Sequence, residues 1–296
     1  MAVSNQDVLK LRKLTGAGVM DCKNALEATE GDIEAAVDLL RKKGIEVAAK
    51  REAKSTTEGV VTTFVSDDGQ IGAMLEVNCE TDFAARSEDF REFANALAAQ
   101  ISRTDGLETA EQALAEAWSA DESITVSDAL DTLTGKIGER IVVQRLARYA
   151  VAGSAGRITS YVHGGGQIGV LMEIGCETEQ AANSEELADF AHNIAMQVAA
   201  MQPKWVSQDD VGEDALQRER EVLMDQAKQE GKPESIVEKM VAGRLQKFYS
   251  QVCLLSQPYV RDDDMTVEEL LNELTGKLGE PVVVQRFIRF QSGEES

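Results

Sequence analysis

Side chains able to do chemistry are scarce in this sequence and poorly spaced for it. Histidine occurs twice, at His163 and His192, and neither stands in an HExxH run or another metal-ligand spacing. There is no Gly-x-Ser-x-Gly elbow and no GxxxxGK(S/T) phosphate loop. Gly164-Gly165-Gly166 leads into a strand-like run, so it has no helix N-terminus to offer a phosphate and reads as a hairpin turn. The 4 cysteines lack C-x-x-C spacing and read as free thiols, with Cys79 and Cys176 as small buried residues after a core strand. General acid or base work by Glu80, Asp82 or His163 would need a second converging histidine or a nucleophile. The sequence therefore predicts a protein that is not an enzyme and needs neither cofactor nor metal.

One segment asks for a different chemistry, that of contact. Glu80-Thr81-Asp82-Phe83 follows a β-rich run, with Asp82 and Phe83 side by side where a loop is expected. Two readings of Phe83 stand: an aromatic tucked under the neighbouring hairpin, or an exposed anchor for a partner.

An internal duplication bears on that choice. Residues 59 to 83 align without a gap to residues 156 to 180, with 11 of 25 positions identical, and residues 124 to 149 align to 265 to 290, with 14 of 26 identical. The second copy has Glu179 and Gln180 where the first has Asp82 and Phe83, so the architecture does not require a Phe there. His163 stands in the second copy where the first has Ser66, both at a hairpin turn. Lys136-Ile137-Gly138-Glu139 recurs as Lys277-Leu278-Gly279-Glu280, and a Gly between helix and strand is first a helix stop.

Each copy must therefore supply the elements that hold these residues. Val60 to Val65 and Ile71 to Asn78 read as strands joined by the turn Ser66-Asp67-Asp68-Gly69. Ser87 is the expected N-cap of a helix over Glu88 to Ile101, and Ile141 to Tyr149 is again strand-like. Between the two conserved blocks of each copy the second carries 44 more residues than the first. That surplus reads as a helical hairpin at about 206–249, with Glu230-Gly231-Lys232-Pro233 between its arms. Ile236, Val237, Met240, Val241, Leu245 and Phe248 form an apolar stripe on the second arm, which either packs within the chain or pairs two copies in a dimer.

The first 50 residues have no counterpart in the repeat. Val8, Leu11 and Leu14, then Val19, Cys22, Ala25 and Leu26, then Ile33, Ala36, Val37 and Leu40 mark three helices, the last capped by Asp32. Glu46 to Thr57 reads as a solvated linker or helix extension. The fold class is α+β in three parts, with 1–55 a three-helix domain, 56–150 the first core subdomain and 151–296 the second, its hairpin inserted.

The formal charge of -22, from 30 Lys and Arg against 52 Asp and Glu, lies in the core, since residues 1 to 54 are nearly balanced. Such a field repels phosphate backbones and favours a basic protein partner, if it does more than maintain solubility. No run approaches the ~18 apolar residues of a membrane span, and the opening MAVSNQDVLKLRKL lacks a secretory h-region. A cytoplasmic place, without nucleic acid or membrane contact, is expected.

The residues also carry a resemblance. Thr15-Gly16-Ala17-Gly18-Val19-Met20-Asp21-Cys22-Lys23-Asn24-Ala25-Leu26 and Glu76-Val77-Asn78-Cys79-Glu80-Thr81-Asp82-Phe83 resemble the two signatures of the elongation factor Ts family, in the same order. The likeness extends to Lys136-Ile137-Gly138-Glu139, Tyr161-Val162-His163-Gly164 and Phe287-Ile288-Arg289-Phe290. It implies that the three-helix domain is ubiquitin-associated-like and that the chain is a guanine-nucleotide exchange factor gripping elongation factor Tu. On this likeness Thr81, Asp82, Phe83 and Ala84 would form the wedge that dislodges the partner's magnesium. Met20, Lys23, Ile137, Gly138 and His163 would be further contacts. Ala84 departs from the family's commoner Val, and the short segment after Phe290 is not expected to add the C-terminal contact of some members. The competing expectation is an interaction scaffold that binds without accelerating release.

Overall fold

The two copies are built around the same buried ion pair. In the computed structural model, which describes residues 3–51, 54–229 and 234–294, Glu76 and Glu173 are fully enclosed. Each faces an arginine of its own copy, Arg145 or Arg286, at 2.7 Å. A buried carboxylate is tolerated only when paired and hydrogen-bonded, so these pairs fix the strand register around them.

Three helices open the chain: α1 (Asn5–Thr15), α2 (Val19–Ala28) and α3 (Ile33–Arg51). Ser4 caps α1 by accepting the Asp7 N–H, and Asp32 accepts the Ala35 N–H at the head of α3. Val8, Leu11, Cys22, Ala25, Leu26 and Ala36 make their common core. Leu14 and Val19, counted inward by periodicity, face outward. Of the stretch from Glu46 to Thr57, the part to Arg51 is a continuation of α3, and residues 52–53 lie outside the described residues.

The first copy runs β1 (Glu58–Val65), β2 (Ile71–Cys79), α4 (Asp82–Arg86), α5 (Glu88–Arg103), α6 (Ala110–Ala115), β3 (Ala117–Trp118), β4 (Asp121–Thr125), α7 (Val126–Ile137) and β5 (Ile141–Ala150). The second runs β6 (Ala155–His163), β7 (Ile168–Cys176), α8 (Glu179–Ala182), α9 (Glu185–Met201), α10 (Glu213–Gln229), α11 (Glu234–Val252), β8 (Pro258–Tyr259), β9 (Asp262–Thr266), α12 (Val267–Leu278) and β10 (Val283–Gln291). Both main sheets are antiparallel and three-stranded with the second strand central, β1-β2-β5 and β6-β7-β10. Register slips by one residue at Gln144 and again at Gln285, bulges that set Arg145 opposite Glu76 and Arg286 opposite Glu173. Thr125 and Thr266 open α7 and α12 with the same capping box, closed by Asp128 and Glu269.

The sheets pack on each other about a pseudo-twofold axis. The Val61 N–H donates to the Gly166 carbonyl, and its counterpart, the Ile158 N–H, donates to the Gly69 carbonyl, both at 2.7 Å. Arg145 lies over the Phe290 ring and Arg286 over the equivalent Tyr149 ring. The close approach depends on Gly72 and Gly169, where an added Cβ would meet Ile158 or Val61 below 2.6 Å.

Two differences from the sequence reading concern helix starts. Ser87 occupies the N-cap position of α5 but makes no side-chain capping bond there; its hydroxyl donates to the Ala84 carbonyl at 2.8 Å, whereas the equivalent Ser184 makes the same bond to Ala181 and also accepts the Leu187 N–H. Asp82 and Phe83 do not begin a loop but open α4, which Thr81 caps by accepting the Ala84 N–H. Five residues are too few for helical periodicity to show.

The 44-residue surplus forms α10 and α11, whose Leu223, Ala227, Val237 and Leu245 are buried, so the stripe turns inward. Ile236 has no described side chain, and Glu230 to Pro233 lie outside the described residues. Backbone bonds close the base: the Lys204 and Trp205 N–H groups donate to the Val252 carbonyl, and the Leu254 N–H to the Trp205 carbonyl. The three-helix unit rests on the core where α3 crosses α7. A Cβ on Gly44 would meet the Asp131 carbonyl oxygen at 2.9 Å, and Arg41 pairs with Asp128 at 2.8 Å. A Gly44→Val substitution must push α3 off α7. It is expected to cost about 1–3 kcal/mol of local stability, read as faster amide exchange through α1 to α3 with exchange in β2 and β7 unchanged.

Candidate functional site

The turn after β2 is held from two sides. Cys79, the last residue of the strand, is buried, and that burial pushes its thiol up to about 11, so it is packing and not a nucleophile. Beyond it the carboxylate of Glu139 accepts the Thr81 N–H at 3.0 Å and the Thr81 hydroxyl at 2.8 Å. The same Thr81 hydroxyl caps α4. Glu80 accepts the Arg140 N–H and an Arg51 guanidinium N–H, each at 2.7 Å. First the Arg140 amide and then Arg51 hold its carboxyl below the usual carboxylate range.

A single turn of helix with both ends fixed divides its side chains sharply. Ala84 and Ala85 enter the core, Ala84 at 5% exposure. Ala84 thus anchors the helix and adds nothing to its outer surface. Asp82 stays at the surface in an i,i+4 pair with Arg86 at 3.2 Å. Phe83 points outward at 83% exposure, more open than any other large apolar side chain among the described residues. The twin is arranged alike, with Thr178 capping α8 and Glu280 accepting the Thr178 N–H and hydroxyl, but it presents Gln180 in place of the Phe.

The other candidate residues lie on segments that reach this helix through intermediate contacts. Gly138 ends α7 in the left-handed conformation, φ 78°, and so turns the chain to deliver Glu139 to Thr81, while Ile137 packs partly against the core. Lys136, one residue earlier, pairs with Asp89 at 2.5 Å and lies against Gly16 in the α1–α2 turn. Past that turn on α2 stand Met20, 63% exposed, and Lys23, which pairs loosely with Glu27 at 3.8 Å.

On the far side, the turn of the second copy meets the first. Arg91 of α5 donates to the Gly165 carbonyl at 3.1 Å. A cleft between the copies is lined by Glu58, Asp82, Arg86, Arg91 and Gly165. His163, exposed at the end of β6, takes part in a 3.0 Å hydrogen bond with the Tyr161 hydroxyl, and both its ring and Val162 are open to solvent. The structure thus links Gly16, Lys136 to Glu139, Thr81 to Phe83 and the His163 turn in one run of contacts. Glu139 and Arg91 escaped the sequence reading as functional supports. Recurrence of the Lys-x-Gly-Glu segment pointed to the first, whereas nothing in the sequence marks a donor to a distant carbonyl.

Among the described residues no group of three or more His, Cys, Asp or Glu is placed to hold a metal ion, and no helix is long and apolar enough to cross a membrane. The arrangement is that of a duplicated α+β protein presenting an exposed aromatic on a short, capped helix. The sequence model of the family described as Elongation factor TS matches residues 80–294. Elongation factor Ts of Clostridium novyi is 46% identical over 292 residues, spanning 99% of this chain and 93% of that protein. Those of Clostridium kluyveri and Clostridium botulinum are 45% and 44% identical over the same spans. The chain belongs to the elongation factor Ts family, the translation elongation factors of that name.

The clasp is common to both copies, so its loss should be too. Glu139→Ala and Glu280→Ala each strand a Thr N–H and hydroxyl, and each is expected to cost about 1–2 kcal/mol. Thermal or urea unfolding measures this, and the two costs should agree within about a factor of two.

Proposed function

We propose that this chain binds elongation factor Tu, accelerates the release of its GDP without covering the nucleotide, and does so with Phe83 as the inserted group. The observation that carries the reading is the exposure of Phe83 on a helix fixed at both ends, where the structural twin needs no aromatic. In the free protein the ring buries little, so the energy it can contribute lies in what it meets in a complex. Large rigid aromatics supply buried area at little conformational cost, which is why they anchor interfaces.

The exchange itself is a linkage. A factor that binds the nucleotide-free partner more tightly than the GDP-bound one must weaken GDP by the same factor. The partner's magnesium neutralises phosphate charge, so a side chain that displaces its ligands loosens GDP from a distance. On this reading Thr81, Asp82 and Phe83 reach toward that ion's surroundings while Ala84 secures their helix. Ile137, Gly138 and His163 border the same contact, and Met20 and Lys23 extend it onto the three-helix unit. The acidic core suits a protein partner over a nucleic acid.

Truncating a central aromatic anchor typically removes ~2 kcal/mol or more, roughly thirtyfold in an equilibrium. Phe83→Ala and Phe83→Gln are both expected to lose stimulated GDP release on this scale, with melting temperatures near that of the parent because the ring touches little in the free protein. Asp82→Ala should lose less, as exposed charges contribute modestly. Release of fluorescent GDP from elongation factor Tu against concentration of each variant is the measurement. Normal release by folded Phe83→Ala contradicts the assignment, and binding without any acceleration by the parent protein supports a scaffold instead.

A further inference from the structure

Glu80 and Glu177 are the same residue at equivalent places in the two copies, yet only one of them joins separate parts of the chain. In the first copy β5 is preceded by Arg140, whose N–H donates to Glu80. In the second the equivalent residue is Pro281, which has no N–H to give. There the Glu280 carboxylate takes the Glu177 and Thr178 N–H groups instead, at 2.9 and 3.0 Å. The vacancy at Pro281 is matched by the lack of any counterpart to Arg51, because α3 belongs to the unit that the duplication does not contain.

The first copy therefore carries an added clamp. Arg51 is the last residue of α3, and its guanidinium reaches Glu80 at 2.7 Å. The Arg140 guanidinium turns back to donate to the Lys54 carbonyl at 2.6 Å. Three segments meet on these bonds: the end of α3 with the chain that leaves it, the residue two before the Phe83 helix, and the start of β5. Charge-assisted bonds at this length are strong for their kind, and Glu80 joins the last residue of α3 to the start of β5, while Arg140 ties the chain after α3 to the same place. The clamp exists in the copy that carries Phe83 and is missing from the copy that carries Gln180.

Resting on the exchange reading above, we infer that Glu80 is a positioning residue: through Arg51 and the Arg140 N–H it sets the Phe83 helix relative to the three-helix unit, so that a protein partner meets both surfaces already aligned. The Thr81–Glu139 clasp keeps α4 folded without Glu80, as it does in the twin. Loss of the clamp thus loosens the alignment of two contact surfaces and leaves each intact. Prealigned surfaces bind better because less freedom is lost on association.

Stimulated GDP release from elongation factor Tu is measured for Glu80→Gln, Glu177→Gln, Arg51→Met, Phe83→Ala and the Glu80→Gln/Phe83→Ala double variant, each with its melting curve. Glu80→Gln is expected to lose roughly fivefold to tenfold, Arg51→Met to lose in the same direction by less, and Glu177→Gln to match the parent. The double variant should fall well short of the product of the two single losses, since a misaligned helix without its ring has little left to misplace. Near-parental release by Glu80→Gln and Arg51→Met, with Phe83→Ala impaired, overturns the inference and leaves the exchange reading standing. Equal losses in Glu80→Gln and Glu177→Gln overturn it too, as the effect would then be architectural. Losses that multiply in the double variant show Glu80 acting independently of Phe83 and overturn it likewise. If Glu80→Gln lowers the melting temperature, Arg51→Met decides, because it keeps the Arg140 bond and removes only the link to α3. Normal release by Phe83→Ala brings down the exchange reading itself.

Discussion

Two carboxylates with no access to water, Glu76 and Glu173, constrain most of what surrounds them. Each must be paired, and each pair forces a bulge in the neighbouring strand so that an arginine arrives opposite it. The same arginines then cross to the other copy, where Arg145 lies over Phe290 and donates to the Gln291 carbonyl, and Arg286 lies over Tyr149 and donates to the Ala150 carbonyl. One interaction thereby fixes both the register within a sheet and the docking of one sheet on the other. The joint brings the His163 turn against α5 and the Asp82 end of α4, which no property of either copy alone would do.

Symmetry in the frame makes asymmetry at the rim informative. The capping Thr, the clasping Glu and the left-handed Gly occur in both copies and so are requirements of the fold. Phe83, His163 and the Arg51–Glu80–Arg140 clamp each occur in one copy. Duplicated proteins carry their own control: whatever the twin lacks is free to serve a partner.

Much of this was legible in the sequence because the repeat doubles every signal. Strands ending near Val65, Cys79 and Tyr149, the hairpin turns and the inserted helices follow from alternation, turn chemistry and the length difference between copies. The Phe83 contrast with Gln180 needed only the alignment. Other features were hidden for physical reasons. A helix as short as Asp82–Arg86 has no period to detect, and the Thr that caps it looks like any turn residue. Ser87 had the expected type and place for a cap yet accepts no helix N–H, although its twin Ser184 does. Gly44, inside α3, gives no sign in the sequence that it is the contact at which α3 lies on α7. Partners distant in sequence, such as Arg51 with Glu80 or Arg91 with Gly165, leave no mark in composition or spacing.

On the proposed reading the Phe83 helix, the His163 turn and the three-helix unit meet the partner together, while the loops equivalent to the Phe83 helix and to 136–139 in the second copy only support the frame. Amide exchange of the full chain, with and without nucleotide-free elongation factor Tu, tests this directly. It predicts protection at 81–84, 136–139, 163–166 and 19–23 on binding, with little change at the equivalent loops 178–181 and 277–280 of the frame. Equal protection of both sets of loops, or protection of the second set alone, would contradict it.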